Sequence, residues 1–323
     1  MRPSRRVLLA ALAVPALARA QGAEFPSRQV RIVVPFPPGG GLDALARALA
    51  DRLSPAWRQA VVVDNRPGGS TVPGVDAVAK AAPDGHTLLV TADNSITSNP
   101  HLIRSLPHDP MRDLVPISHL VDVHQMVLAH PSVGARDMAG LVAAARAAPG
   151  RLNFASYGSA SQPHLAFGAL MAREGIEMVH VPYRGLTPAV LATLAGETQL
   201  TLAGIPSAMQ HIQAGTIRAL AVGRPARLEA LPEVPTLEEA GYAEIDPRTW
   251  FGAFAPAGTP PALIARLHRD LSAAIGEASV RERFVTAAGF TLHMRGPEET
   301  AAFLREDLAH KGRLIAAAAI RPE

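Results

Sequence analysis

The sequence predicts an α/β protein of two lobes, each a doubly wound sheet, joined by a hinge. Three observations point to it. The chain has 323 residues, more than one ordinary hydrophobic core holds. Short valine-rich runs alternate with segments whose apolar residues recur every three or four positions, the pattern of a mainly parallel sheet covered by helices. That alternation begins near residue 31, breaks at the proline-punctuated stretch 100–116, and restarts at residue 137.

The first unit is a buried strand (Ile32, Val33, Val34), a Pro/Gly turn over 35–41, and a helix whose Leu45, Leu49 and Leu53 form one apolar stripe. Asp43 stands where an N-cap belongs, its carboxylate placed to accept from free amides of the first turn. A second strand at 60–65 leads into Arg66-Pro67-Gly68-Gly69-Ser70 and a short helix at 75–81; a third strand is expected at 86–91. Ligands of such sheets sit beyond the carboxyl ends of the strands, which here means 35–41, 66–71 and 92–97. The stretch 100–116 is expected to cover the surface, and the apolar segments 117–121 and 125–129 to carry the first crossover.

In the second lobe, helices at 137–148, 164–173, 187–195 and 206–214 alternate with strands at 151–156, 177–181, 199–203 and 217–222. The chain returns near Pro247, runs through an apolar segment at 250–255, and ends in helices at 261–276, 280–287 and 297–319. Glu298 and Glu299 at the start of the last helix, and Lys311 and Arg313 near its end, match its dipole. The expected division is 21–123 with 248–323 for one lobe and 124–247 for the other, hinged by two crossovers with a cleft between the sheet ends.

Residues 1–20 are set apart from the fold. Arg2, Arg5 and Arg6 precede an apolar stretch at 7–17 too short to span a bilayer, and Ala18-Arg19-Ala20 is a small-x-small cleavage site. A secretory signal peptide is expected, of the Sec type or, from the paired arginines, the Tat type, with the mature chain starting near Gln21 and residing in the periplasm. Of 31 basic and 28 acidic side chains, four arginines lie in this leader, so the remainder carries 27 against 28. The basic pI therefore does not mark a nucleic-acid binder. The sequence has no cysteine, which excludes disulfides, thiol chemistry and a lipidated N-terminal cysteine.

A strand that feeds a glycine turn at a helix N-terminus aims backbone N–H groups outward at the positive end of the helix dipole. Gly39, Gly40 and Gly41 also leave room for a ligand where a Cβ would stand. This is an anion site built from main chain, suited to a small carboxylate.

Several blocks, in order and suitably spaced, add a specific resemblance: PFPPGGGLD, VVVDNRPGGS, AVAKAAPDGHTLL, HVPYRG, PSAMQHIQAGTIRALAV, PTLEEAGY and WFGAFAPAGTP. From about Phe25 to the C-terminus the chain resembles the Bug-type receptors, the extracytoplasmic solute-binding proteins of tripartite tricarboxylate transporters. The resemblance implies a type II periplasmic-binding-protein fold, monomeric, that closes on a small di- or tricarboxylate and passes it to membrane permease subunits without chemistry or cofactor. It implies contacts from Phe36, Gly39, Gly40, Gly41 and Asp43 in the first lobe, and from Ser156, Gly158, Ser159, Ala160 and Ser161 in the second. Thr91 and Asp93 in the third-strand loop, Tyr183, and Ala203 line the same cleft by that reading. Many family members carry an Asp-Asn pair where this chain has Ala203-Gly204; the missing acid argues against an amino acid ligand. Ala160 replaces a common second glycine, and Asp93 would repel an anion unless paired or turned away.

Other chemistries are weighed against these residues. Gly39-x-Gly41-x-x-Ala44 with Asp64 some twenty residues on fits a dinucleotide fingerprint, so an exported cofactor enzyme is an alternative; Pro37 and Pro38 and the export signal oppose it. A ligand-sensing subunit of a signalling system would need the same capture. The histidines, among them His119, His124 and His130, show no metal-ligand spacing, and the serines lack G-x-S-x-G, so neither a metal nor a catalytic residue is expected.

Overall fold

The computed structural model describes residues 25–159, 161–245, 247–318, 320 and 322. The leader expected at 1–20, and Ala160, lie outside the described residues. The strands in chain order are β1 (Val30–Val34), β2 (Val61–Asn65), β3 (Thr87–Ala92), β4 (Leu114–Val123), β5 (Gln125–Ala129), β6 (Asn153–Ser156), β7 (Val179–Pro182), β8 (Leu200–Gly204), β9 (Arg218–Val222), β10 (Thr249–Pro256) and β11 (Thr291–Arg295). The helices are α1 (Gly41–Trp57), α2 (Val72–Ala79), α3 (Asn99–Leu102), α4 (Pro110–Asp113), α5 (Met138–Ala147), α6 (Gln162–Glu174), α7 (Leu186–Leu194), α8 (Ile205–Gln213), α9 (Pro261–Gly276), α10 (Ala278–Arg281) and α11 (Pro297–Ala317).

They build two sheets. One has six strands in the order β11-β4-β10-β3-β1-β2, the other five in the order β7-β6-β8-β5-β9. The βαβ units pair in parallel, β1 with β2 and β3, and β6 with β7 and β8. The strands at the crossovers run antiparallel: β10 against β3 and β4, and β5 against β8 and β9. The sheets are therefore mixed rather than all-parallel, because β10 and β5 enter directly from the opposite sheet without a crossover helix to reverse them.

Why Ile32, Val33 and Val34 of β1 form an unbroken apolar run is now plain. Ile32 and Val34 pack with Leu45, Leu49 and Leu53 of α1 on one face, and Val33 packs with Val75 and Val78 of α2 on the other. A parallel strand covered on both faces has no side for water. Each of those leucines contributes about 1.5–3 kcal/mol by leaving water.

Ser95, Ile96, Thr97, Ser98 and Asn99, after β3, are all buried, in a π-type turn that leads into α3. Two local expectations change. Residues 280–287 form α10 and a second π-type turn. An edge strand, β11, follows and pairs with β4; its alternation was masked by His293 and Met294.

The first passage between sheets takes one residue, His124, between β4 and β5. Its Nδ1–H donates to the carbonyl of Gly223 (3.0 Å) and its Nε2 accepts from Thr291 Oγ1 (2.9 Å). The second passage lies between β9 and β10. There a Cβ on Gly223 would fall 2.2 Å from the ring of Pro247, so only glycine fits. Helix α11 spans the junction: Ile315 packs with Leu102 and with Leu165 of α6.

Candidate functional site

A cavity of about 870 Å³ opens between the two sheets. Phe36, Gly39, Gly40, Gly41 and Asp43 form part of its wall. The helix starts three residues earlier than an Asp43 cap would place it, with Gly40 as N-cap, which makes Asp43 the third helical residue and not the cap. The Asp43 carboxylate instead reaches back to accept from the amide of Gly39 (3.0 Å). It also accepts from Arg47 Nε (3.0 Å) and Asn65 Nδ2 (2.9 Å). Burial pushes its pKa up, but the Arg47, Gly39 and Asn65 bonds outweigh burial and hold it below the usual carboxylate value. Asp43 is thus the brace of the turn, and its negative charge is matched by Arg47.

That brace takes the Gly39 amide out of play. The amides of Gly40, Gly41 and Leu42 make no hydrogen bond to the chain among the described residues, since the first helical bond is Ala44 N–H to Gly40 O (2.9 Å). Gly39 needs glycine for its conformation (φ +95°), whereas Gly40 (φ −80°) does not. A Cβ on Gly40 would meet nothing within 4 Å, so its effect is to leave the approach to those amides open.

The second lobe meets the cavity elsewhere than expected. Ser156 and Ser161 are fully buried, and both hydroxyls donate to the carbonyl of Gly158 (3.0 and 2.6 Å). The Gly158 amide donates to Ser156 Oγ (3.2 Å). Gly158 and Ser159 are half-buried, and among the described residues of this loop the cavity wall takes Tyr157 alone. Ser156 Oγ also lies 2.6 Å from Nε2 of His180, whose ring stacks on His164 with centroids 3.9 Å apart. The loop is a self-bonded support that presents Tyr157.

The same one-residue offset recurs. Thr91 is buried, its hydroxyl donating to Ser95 Oγ (2.7 Å), and Ala92 is the residue on the wall. Tyr183 is half-buried, while its neighbour Arg184 faces the cavity. Ala203 is fully buried within β8, and Gly204 is on the wall. Asp93 is 1% exposed; it accepts from Lys311 Nζ (2.8 Å) and from Thr249 Oγ1, so it presents no unpaired charge to an anion. Lys311 also donates to Gln162 Oε1 (2.7 Å), tying α11 to the start of α6.

What sequence reasoning missed is the contribution of α7 and α8. Their N-caps are Gly185 and Gly204, and both caps line the cavity with Leu186, Thr187 and Pro188 of α7 and Pro206 and Ser207 of α8. Three helix N-termini, one from the first lobe and two from the second, therefore border one space, and each offers free amides and a positive dipole end. The glycine before each helix was the available signal. The lobes meet around this space: a Cβ on Gly185 would lie 3.2 Å from the Pro37 ring, and one on Gly289 2.5 Å from Ile205 Cδ1.

The dinucleotide alternative fails on Asp64, which is absent from the cavity wall and accepts from Arg66 Nε (2.8 Å). Among the described residues one group could hold a cation: ligand atoms of His119, Asp122 and His293 lie within 4.8 Å of one another. Arg295 donates to His119 Nδ1 (3.3 Å), so His119 Nε2–H donates to Asp122 (2.9 Å), and His293 Nε2 bonds the other oxygen (2.8 Å). With Arg248 also 3.4 Å from Asp122, the cluster is a hydrogen-bonded brace between β4 and β11 that repels a metal.

Residues 45–320 match the family described as "Tripartite tricarboxylate transporter family receptor". The chain belongs to this family of receptors. It is 36% identical over 285 residues to Protein BugT of Bordetella pertussis, covering 88% of this chain and 87% of that protein. Among solved structures, it is similar to R. palustris Rpa4515 with adipate, at a TM-score of 0.86, 30% identity, and coverage of 93% of this chain and 100% of that one. It is similar also to MatC from Rhodopseudomonas palustris with bound malate, at a TM-score of 0.84, 28% identity, and coverage of 90% and 100%. These family receptors are solute-binding proteins, and no helix among the described residues is long and apolar enough to cross a membrane.

Proposed function

We propose that the protein captures a small organic acid in the periplasm, holds it unaltered between two lobes, and delivers it to the permease subunits of a tripartite transporter. The observation that carries this reading is the meeting of three helix N-termini, at Gly40, Gly185 and Gly204, on one cavity. A carboxylate there accepts charge-assisted bonds of about 1.5–3 kcal/mol each. An acid that bridges the lobes gains them all only when the lobes are together, so binding selects the closed form.

The lobes proposed to move are 21–123 with 248–323, and 124–247, turning about His124 and the Gly223–Pro247 contact. Adipate in Rpa4515 and malate in MatC support an organic acid as ligand. The leader at 1–20, by the Sec or Tat route, supplies export. The receptor acts as a monomer, with no catalytic residue and no cofactor. The first-lobe contacts proposed are Phe36 and the amides of Gly40, Gly41 and Leu42; Asp43 acts through the turn it braces.

The test is a thermal-shift screen of the purified protein with mono-, di- and tricarboxylates and amino acids. An acid at a hundred times its Kd stabilises the folded state by about 2.7 kcal/mol. Indifference to every acid, with a nicotinamide or flavin retained through purification, would refute the proposal.

A further inference from the structure

The cavity is richer in apolar side chains than a tri- or dicarboxylate requires. Helix α7 lines it with Leu186, Val190, Leu191 and Leu194, and Leu191 is 58% exposed. Phe36 and Phe290 line the first-lobe side, with Phe290 edge-on to Phe251 (5.8 Å, 86°). Exposed leucine at the wall of a binding cleft is covered at a gain only by an apolar ligand body. Cations on the wall are few. Among the described residues they are the two guanidiniums of Arg184 and Arg283, the latter over the ring of Phe284 (5.2 Å), while Asp43, also on the wall, engages Arg47 outside it. A ligand with three carboxylates would leave charge unmatched in this space.

A second, independent observation lies at Gln125, the first residue beyond the crossover. It is 3% exposed and lines the cavity. Its Nε2 donates to Tyr157 Oη (3.1 Å), while its Oε1 is buried with no partner. A buried carbonyl oxygen left without a donor costs about 1–3 kcal/mol, so the site is built for a group that donates. A carboxylate cannot donate; a hydroxyl can.

We propose that the ligand is a hydroxylated aromatic monocarboxylic acid, its carboxylate at the Gly40–Leu42 amides, its ring against the leucines of α7, and its hydroxyl donating to Gln125 Oε1. This rests on the acid-capture reading and sharpens it: Gln125 is the residue that selects for the hydroxyl.

The experiment is calorimetric titration of the purified protein with two pairs that differ by one hydroxyl: benzoate against para-hydroxybenzoate, and phenylpropanoate against para-hydroxyphenylpropanoate. Terephthalate, adipate, malate and citrate complete the series. At least one hydroxylated acid should bind about tenfold tighter than its partner and than terephthalate and citrate. In Gln125→Leu that preference should fall to within about twofold, while the unhydroxylated acid keeps its affinity within about threefold and so reports an intact cleft. A preference that survives the substitution, or tighter binding of terephthalate, would overturn the role of Gln125 as acceptor. Binding of malate, adipate or citrate without any aromatic acid would sink this proposal and leave acid capture standing; binding of no acid would sink both.

Discussion

At the scale of the residue, the account depends on which polar groups are already spent. Gly40 has no conformational need of glycine and open space where a Cβ would stand. Gly40→Val should therefore fold, at a cost of about 1 kcal/mol for a poorer N-cap. It should lose ligand affinity by about a hundredfold or more, read by titration beside a melting curve. The buried pair Asp93–Lys311 is different. Lys311→Met leaves a carboxylate buried without its cation, and should cost about 3–5 kcal/mol in chemical denaturation; Lys311→Met with Asp93→Asn should recover most of it. His180 gives a pH signature. Burial, with His164 beside it, pushes its pKa down to about 3, against about 6.5 in the unfolded chain. The unfolded state then binds the proton that the folded state refuses. Stability should fall between pH 6.5 and pH 3, by up to about 1.4 kcal/mol per unit, and flatten in His180→Gln; melting temperatures across pH check it.

Elements show where sequence reading succeeds and where it stops. The strand, turn and helix from Val30 to Trp57 were legible because every signal in them is local: an apolar run, a Pro/Gly turn, a leucine stripe. The helix start was misplaced because Asp43 resembles a cap. It is a third-position acid reaching back to Gly39, and only the helix register tells the two apart. Around the cleft, Thr91, Tyr183 and Ala203 were each one residue from the wall, which takes Ala92, Arg184 and Gly204. Nothing local marks which residue of a strand end turns outward. Nor does Gly185 or Gly204 announce in sequence that its helix borders the same cavity as Gly40, since that juxtaposition is tertiary. It makes a prediction. Gly185 has φ +126°, and its Cβ would press on the Pro37 ring at 3.2 Å. Gly185→Ala should hold the lobes apart and weaken binding by about tenfold or more, seen as slower ligand association together with lower affinity.

For the whole molecule, the chain passes between the two sheets twice, from β4 to β5 at His124 and from β9 to β10 by way of Gly223. Gly223→Ala would drive a methyl into Pro247, a rigid ring that cannot yield, and should destabilise the protein by about 1–3 kcal/mol in thermal unfolding. Helix α11 crosses the same junction, with Ile315 against Leu165 and Lys311 on Gln162, so closure must bend around a fastened back rather than slide freely. The cleft is thereby left to open on the side of the helix N-termini. The most direct measurement of the central claim is a nitrogen-15 NMR titration of the amides with a bound carboxylic acid. Saturable downfield shifts should be largest at Gly40, Gly41 and Leu42, with a second set at the first turns of α7 and α8. Shifts that saturate elsewhere while those three amides stay still would contradict it.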